Sequence, residues 1–306
     1  MYKNLLLLAG LVVLVLSWCS YSFSDLLQKI LFTIGLVTVG IPHGAADKLV
    51  ATKTSSHING NFTTRNFTIT YCGQILLFAV FFCLLPHLAI LTFLLMAAYH
   101  FGETDLHDSH SDLYLDKLLI LNYGLLILGV ILLPNFASVE GSLVELNPEG
   151  RGAEIIHWIA EHNNLILTST FAVFGIMLCF SYLFRKRQPI GGWKEGVQQL
   201  ILLLILYKLP LLLSFTFYFI IWHSVSSLSN MIKYLLEEGF YTSRTIAKEI
   251  IKNSLIVLLI ICVFGFIALY FNQGNYILYA IIVLAALTGP HMHVLHHMYQ
   301  SKHITR

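Results

Sequence analysis

A chain of 306 residues that is 57% hydrophobic and 11% charged, with a mean hydropathy of +0.75, cannot cover a water-facing surface of its own size, since soluble domains carry about 25% charged residues. The formal net charge is +2, with no basic stretch, which removes nucleic-acid binding along with the ordinary soluble enzyme and the disordered chain. What remains is an all-α, polytopic transmembrane helical bundle, whose spans need about 20 apolar residues each.

The apolar run Leu5–Leu16 after Lys3 has the look of a signal peptide, but Trp18, immediately before Cys19, stands where a cleavage site needs a small side chain. It reads instead as the first membrane helix. In chain order the predicted spans are 4–21, 27–46, 67–85, 88–104, 115–134, 163–184, 195–208, 210–233, 250–271 and 275–297. Nine is the alternative count, because Lys208–Pro210 marks either a tight turn or a kink.

With ten spans and an inside N-terminus, 15 of the 18 Lys and Arg residues fall on cytoplasmic segments, leaving only Lys29, Arg151 and Lys208 outside. The positive-inside rule then predicts that both termini are cytoplasmic. The outer segment 135–162 is acidic (Glu140, Glu145, Glu149, Glu154, Glu161), and its Ile155, Ile156, Trp158 and Ile159 predict a short interfacial helix. Residues 1–306 read as a single integral membrane domain. The five cysteines lie scattered in apolar runs without a CxxC pair, as small hydrophobes rather than a disulfide framework.

Histidine is the anomaly. There are 14, nearly as many as the 16 acids, in a chain that otherwise avoids polar groups, and ionisable residues within a membrane mark functional sites. Four sit inside or at the inner ends of predicted spans: His43 in Gly-Ile-Pro-His-Gly-Ala-Ala-Asp (40–47), His100 in Tyr-His-Phe-Gly-Glu-Thr-Asp (99–105), His223 in Trp-His-Ser (222–224) and His291 in Gly-Pro-His-Met-His (289–293). Their four spans run in the same direction, so a rise of about 1.5 Å per residue brings all four imidazoles to a similar depth. A lone membrane histidine is usually a helix–helix contact; four at one depth point to an intramembrane metal site. His57, His87, His107, His110, His157, His162 and His303 read as solvated or interfacial, with His107 and His110 also spaced as a weaker surface metal pair.

Metal-bound imidazoles pass their second N–H to a carboxylate or carbonyl. Asp47 follows His43 by four residues and Glu103 follows His100 by three, each on the same helical face, and Asp105 is close by; all three also suit ordinary helix ends. Four imidazoles without thiolate or carboxylate suit iron, copper, zinc or nickel. The aromatic stretch Phe215–Trp222 reads either as core or as the wall of a channel for a rigid apolar substrate.

At these four motifs, in this order, the chain resembles the bacteriorhodopsin-related-protein (Brp/Blh) family of membrane-bound β-carotene 15,15′-dioxygenases. The resemblance implies a multi-pass protein of the cell's inner (plasma) membrane. It further implies an Fe(II) enzyme that uses O2 to split the central double bond of β-carotene into two retinals, which pass into the lipid bilayer and on to a rhodopsin. His43, His100 and His223 match family iron ligands directly. Some relatives carry a further histidine one turn after Trp-His; here that position is Ser227, so His291 is the expected fourth ligand and His293 the second choice. The family's Asp-His after Pro-His-Gly is Asp47-Lys48 here, a second departure.

Two rivals compete. His293-Val-Leu-His-His297 has the form of one box of the membrane di-iron desaturases and hydroxylases, although those enzymes need about eight such ligands and this chain shows one box. A histidine-lined transporter is the non-enzymatic rival. A retinal-binding opsin is a weaker reading than either, for lack of a lysine midway along the last spans.

Overall fold

A computed structural model describes residues 2–19, 25–57, 62–106, 114–145, 150–185, 193–271 and 276–304. Among the described residues every regular element is helical: α1 (Tyr2–Cys19), α2 (Asp25–Gly35), α3 (Ile41–Ala45), α4 (Asp47–His57), α5 (Thr64–Leu84), α6 (Pro86–Asp105), α7 (Tyr114–Leu132), α8 (Ala137–Val144), α9 (Arg151–Glu161), α10 (Asn163–Arg185), α11 (Trp193–Lys208), α12 (Leu211–Phe215), α13 (Val225–Leu236), α14 (Ser243–Phe271) and α15 (Tyr276–Ile304). Five helical stretches among the described residues are long and apolar enough to cross a membrane: Asp25–Ser56, Thr64–Leu84, Tyr114–Asn135, Asn163–Leu183 and Leu211–Gly239. The all-α expectation therefore holds at the level of class.

Two stretches are wound as π-helix, Leu36–Gly40 between α2 and α3, and Thr216–Ser224 between α12 and α13. Such i→i+5 winding is rare and concentrates at functional positions. Here the first leads into Pro42-His43 and the second contains His223. At Pro210 the backbone is extended (φ −55°, ψ 152°), so α11 and α12 are separate helices; Ser214 Oγ donates to the Leu206 carbonyl at 2.8 Å, satisfying an acceptor near the end of α11.

The chain divides into two compact units. The first holds residues 1–33 and 90–223, with a core that includes Tyr123, Leu126, Ile127, Leu202, Leu206 and Trp222. Its α7 packs against α10 and α11, and α1 against α11. Helices α6 and α7 touch backbone to backbone: a Cβ on Gly124 would stand 1.7 Å from the Ala98 carbonyl oxygen, and one on Gly102 2.0 Å from that of Ile120. Small residues permit this approach, the usual way for apolar helices to gain packing where lipid offers no hydrophobic drive.

The second unit holds residues 34–89 and 224–306. Its α15 packs against α4 and α5, α3 against α14, and α13 against α4, around Val50, Met231, Leu235, Leu295 and Met298. Lys53, counted above as a cytoplasmic loop charge, is buried on α4 at 1% exposure. Its Nζ donates to the carbonyls of Tyr234 (2.6 Å) and Glu237 (2.7 Å) at the end of α13, adding a side-chain donor to acceptors that the backbone N–H groups of Glu237 and Phe240 also reach. Thr54, Tyr234 and Ser301 continue the polar seam through hydroxyl contacts of 3.1 and 3.2 Å.

Candidate metal centre

Among the described residues, each unit holds a pair of buried histidines in ring contact. In the second unit, His43 and His291 are 4% and 8% exposed, their ring centres 4.4 Å apart and their planes at 76°. Both follow a proline, Pro42 and Pro290. Proline lacks an N–H and so removes one hydrogen bond from the preceding turn; α15 nevertheless runs unbroken through Pro290. His291 Nδ1 lies 2.8 Å from Asp47 Oδ1, and the Tyr71 hydroxyl donates to Asp47 Oδ2 at 2.9 Å. A ring that donates Nδ1–H to a carboxylate presents the lone pair of Nε2. Asp47, expected beside His43, thus has bonds to His291 and Tyr71, reached from α15 and α5.

In the first unit, His100 on α6 and His223 in the second π stretch are 3% and 1% exposed, with ring centres 4.7 Å apart at 75°. One π turn brings Tyr218 and Phe219 over the His223 ring, at interplanar angles of 29° and 13°, and Phe101 lies 4.8 Å from it. The surroundings of this pair are aromatic and dry.

Asp105, five residues beyond His100, is buried and accepts hydrogen bonds from the Tyr123 hydroxyl (3.0 Å), the Tyr218 hydroxyl (3.1 Å) and the Trp222 indole N–H (3.1 Å). Tyr123 also meets the Gln199 side chain, and the Lys3 ammonium stands 5.4 Å over the Trp222 ring. The carboxylate therefore ties α6, which carries His100, to the segment carrying His223. The bonds it makes are to aromatic donors, not to a histidine ring. Glu103 is buried on α6 at 1% exposure.

The remaining histidines sit elsewhere. His157 pairs with Glu140 at 2.8 Å between α9 and α8, and His162 stacks on Trp158. His293 is exposed and pairs with His297 rather than with a buried ring. His107 and His110 lie outside the described residues. Tyr71, Tyr123 and Gln199 were not singled out in the sequence, and Tyr218 was read only as part of the aromatic stretch Phe215–Trp222. Their partners are distant in the chain, so no local spacing could have pointed to them.

No ion is needed to judge the donor set: two close, buried imidazole pairs, one oriented by a carboxylate, are suited to a borderline divalent metal. Such pairs could hold a metal ion, and they stand in an all-helical chain that has, among the described residues, several helices long and apolar enough to cross a membrane. More particularly, the family model for beta-carotene 15,15′-dioxygenase matches residues 34–299, and the chain belongs to that family. The match favours neither the desaturase nor the transporter reading. No curated protein and no solved structure matches the chain.

Proposed function

We propose that this protein cleaves the 15,15′ double bond of β-carotene with O2 to give two molecules of retinal, and that His43, His100, His223 and His291 ligate one Fe(II) ion for that reaction. The family match carries the reaction, and the two buried imidazole pairs carry the ligand set. The balance is simple: one alkene carbon–carbon double bond is broken, and each carbon receives one oxygen atom of O2. Iron(II), when bound, supplies the one-electron chemistry that lets O2 react with an alkene.

The chain's own residues supply order and dryness. Asp47, held by Tyr71, fixes the His291 ring with Nε2 presented as the donor. Asp105 holds Trp222 and Tyr218, and through them the backbone that carries His223. Phe101, Tyr218 and Phe219 surround that ring with apolar surface, which excludes water and suits a hydrocarbon polyene. The substrate arrives from the lipid bilayer of the plasma membrane, and retinal returns there for uptake by a rhodopsin.

Expression in a β-carotene-producing bacterium tests this directly. The expected result is loss of orange colour with accumulation of retinal, and failure of both in each of the His43→Ala, His100→Ala, His223→Ala and His291→Ala variants. An active His291→Ala variant would remove the fourth ligand; colour retained by the intact, iron-loaded chain would remove the reaction. One iron per polypeptide, rather than two, separates this reading from the desaturase.

A further inference from the structure

Helix α15 carries a second group of histidines beyond the buried pair. His293 is exposed, and His296 and His297 are half-buried. His293 and His297 stand one turn apart with ring centres 4.6 Å apart and planes at 90°. His296 meets the Gln300 side chain at 3.0 Å.

Residues at i and i+4 share one helix face, and two histidines at that spacing are the ligand arrangement of helical zinc motifs. With nitrogen–metal bonds of about 2.1 Å, imidazoles on adjacent positions of one ion place their ring centres roughly 4.5–5 Å apart. The His293–His297 ring separation of 4.6 Å falls within that range. Imidazole nitrogens select borderline divalent cations over magnesium or calcium, and the exposure of His293 leaves water to complete the shell.

We propose that His293 and His297 form a second, peripheral cation site that takes a borderline divalent ion such as zinc(II). The site is independent of the buried pairs and does not rest on the proposed reaction. An ion held there links successive turns just beyond Pro290, where the helix lacks one backbone donor, and so fixes the end of α15 that lies beyond His291.

The full chain, purified in detergent with its iron content measured, is dialysed against zinc chloride beside a His293→Gln/His297→Gln variant. The wild type is expected to retain one zinc more than the variant at equal iron content. Each single variant should weaken that zinc about 100-fold, because the second ring binds intramolecularly. Equal zinc stoichiometry overturns the proposal, as does zinc loss in His296→Gln with His293→Gln silent. If the double variant does not fold, copper(II) resonance spectra of the single variants decide: loss of one coordinated nitrogen supports the pair, and an unchanged spectrum overturns it. Iron is read in the same samples, so a failure of the iron assignment appears separately as missing iron.

Discussion

Asp47 and His291 lie 244 positions apart in the chain and 2.8 Å apart in space, one carboxylate oxygen facing the Nδ1 atom of the ring. The second oxygen of Asp47 is taken by Tyr71. The carboxylate is thus held from two sides before any ion is considered.

Substituting Asp47→Asn keeps the shape but removes the charge that makes the ring a better donor. Partners of this kind typically account for 10–100-fold in metal affinity, so the variant should lose iron on dialysis while the wild type keeps it. Tyr71→Phe should show the same change in smaller measure. Iron content and retinal yield at rising Fe(II) concentration check both, with activity recovered at high iron.

Replacing Asp105 tests the other unit. Asp105→Ala takes the acceptor from the buried Tyr218 hydroxyl and Trp222 indole N–H, each loss costing about 1–3 kcal/mol, while Tyr123 keeps its contact with Gln199. A clear fall in the thermal unfolding midpoint is expected, with Asp105→Asn falling less because its amide oxygen still accepts. An unchanged midpoint in Asp105→Ala would contradict the arrangement.

The α6–α7 contact makes a sharp steric forecast. Gly124→Ala drives a methyl group into the backbone of Ala98, and no side-chain rotation relieves it. The loss should exceed the ~1–3 kcal/mol of ordinary overpacking and appear as poor folding yield. Gly175→Ala, where nothing lies within 4 Å, should behave as wild type.

Metal removal separates ligand loss from unfolding. Chelation should abolish retinal formation while the helical circular dichroism signal persists, because the cores of both units are built from apolar side chains rather than from the imidazoles. Fe(II) should restore activity, and Zn(II) should not, since zinc lacks redox chemistry.

The helices and the four buried histidines were legible because each signal is local: an apolar run, or a polar ring inside one. Pairing was not. Nothing near His43 or His100 in the chain says that their close neighbours are His291 and His223, nor that Asp105 meets Tyr123, Tyr218 and Trp222. Lys53 shows a related feature that charge counting does not see. Counting positive charges treats each lysine as solvated, whereas this one lies buried against the end of α13. The π stretches leave no trace in hydropathy, because widening a helix from i→i+4 to i→i+5 bonding does not require a change in residue type.

That widened winding over Thr216–Ser224 accommodates more residues per turn than an ordinary helix. Its reading frame around the axis therefore depends on length as much as on composition. Deleting one residue between Thr216 and Phe219 would change the angular offset between the side chains before the deletion and His223 after it. Indel tolerance, usually a property of surface loops, should vanish here, in the middle of an apolar helix where point changes among hydrophobes remain mild.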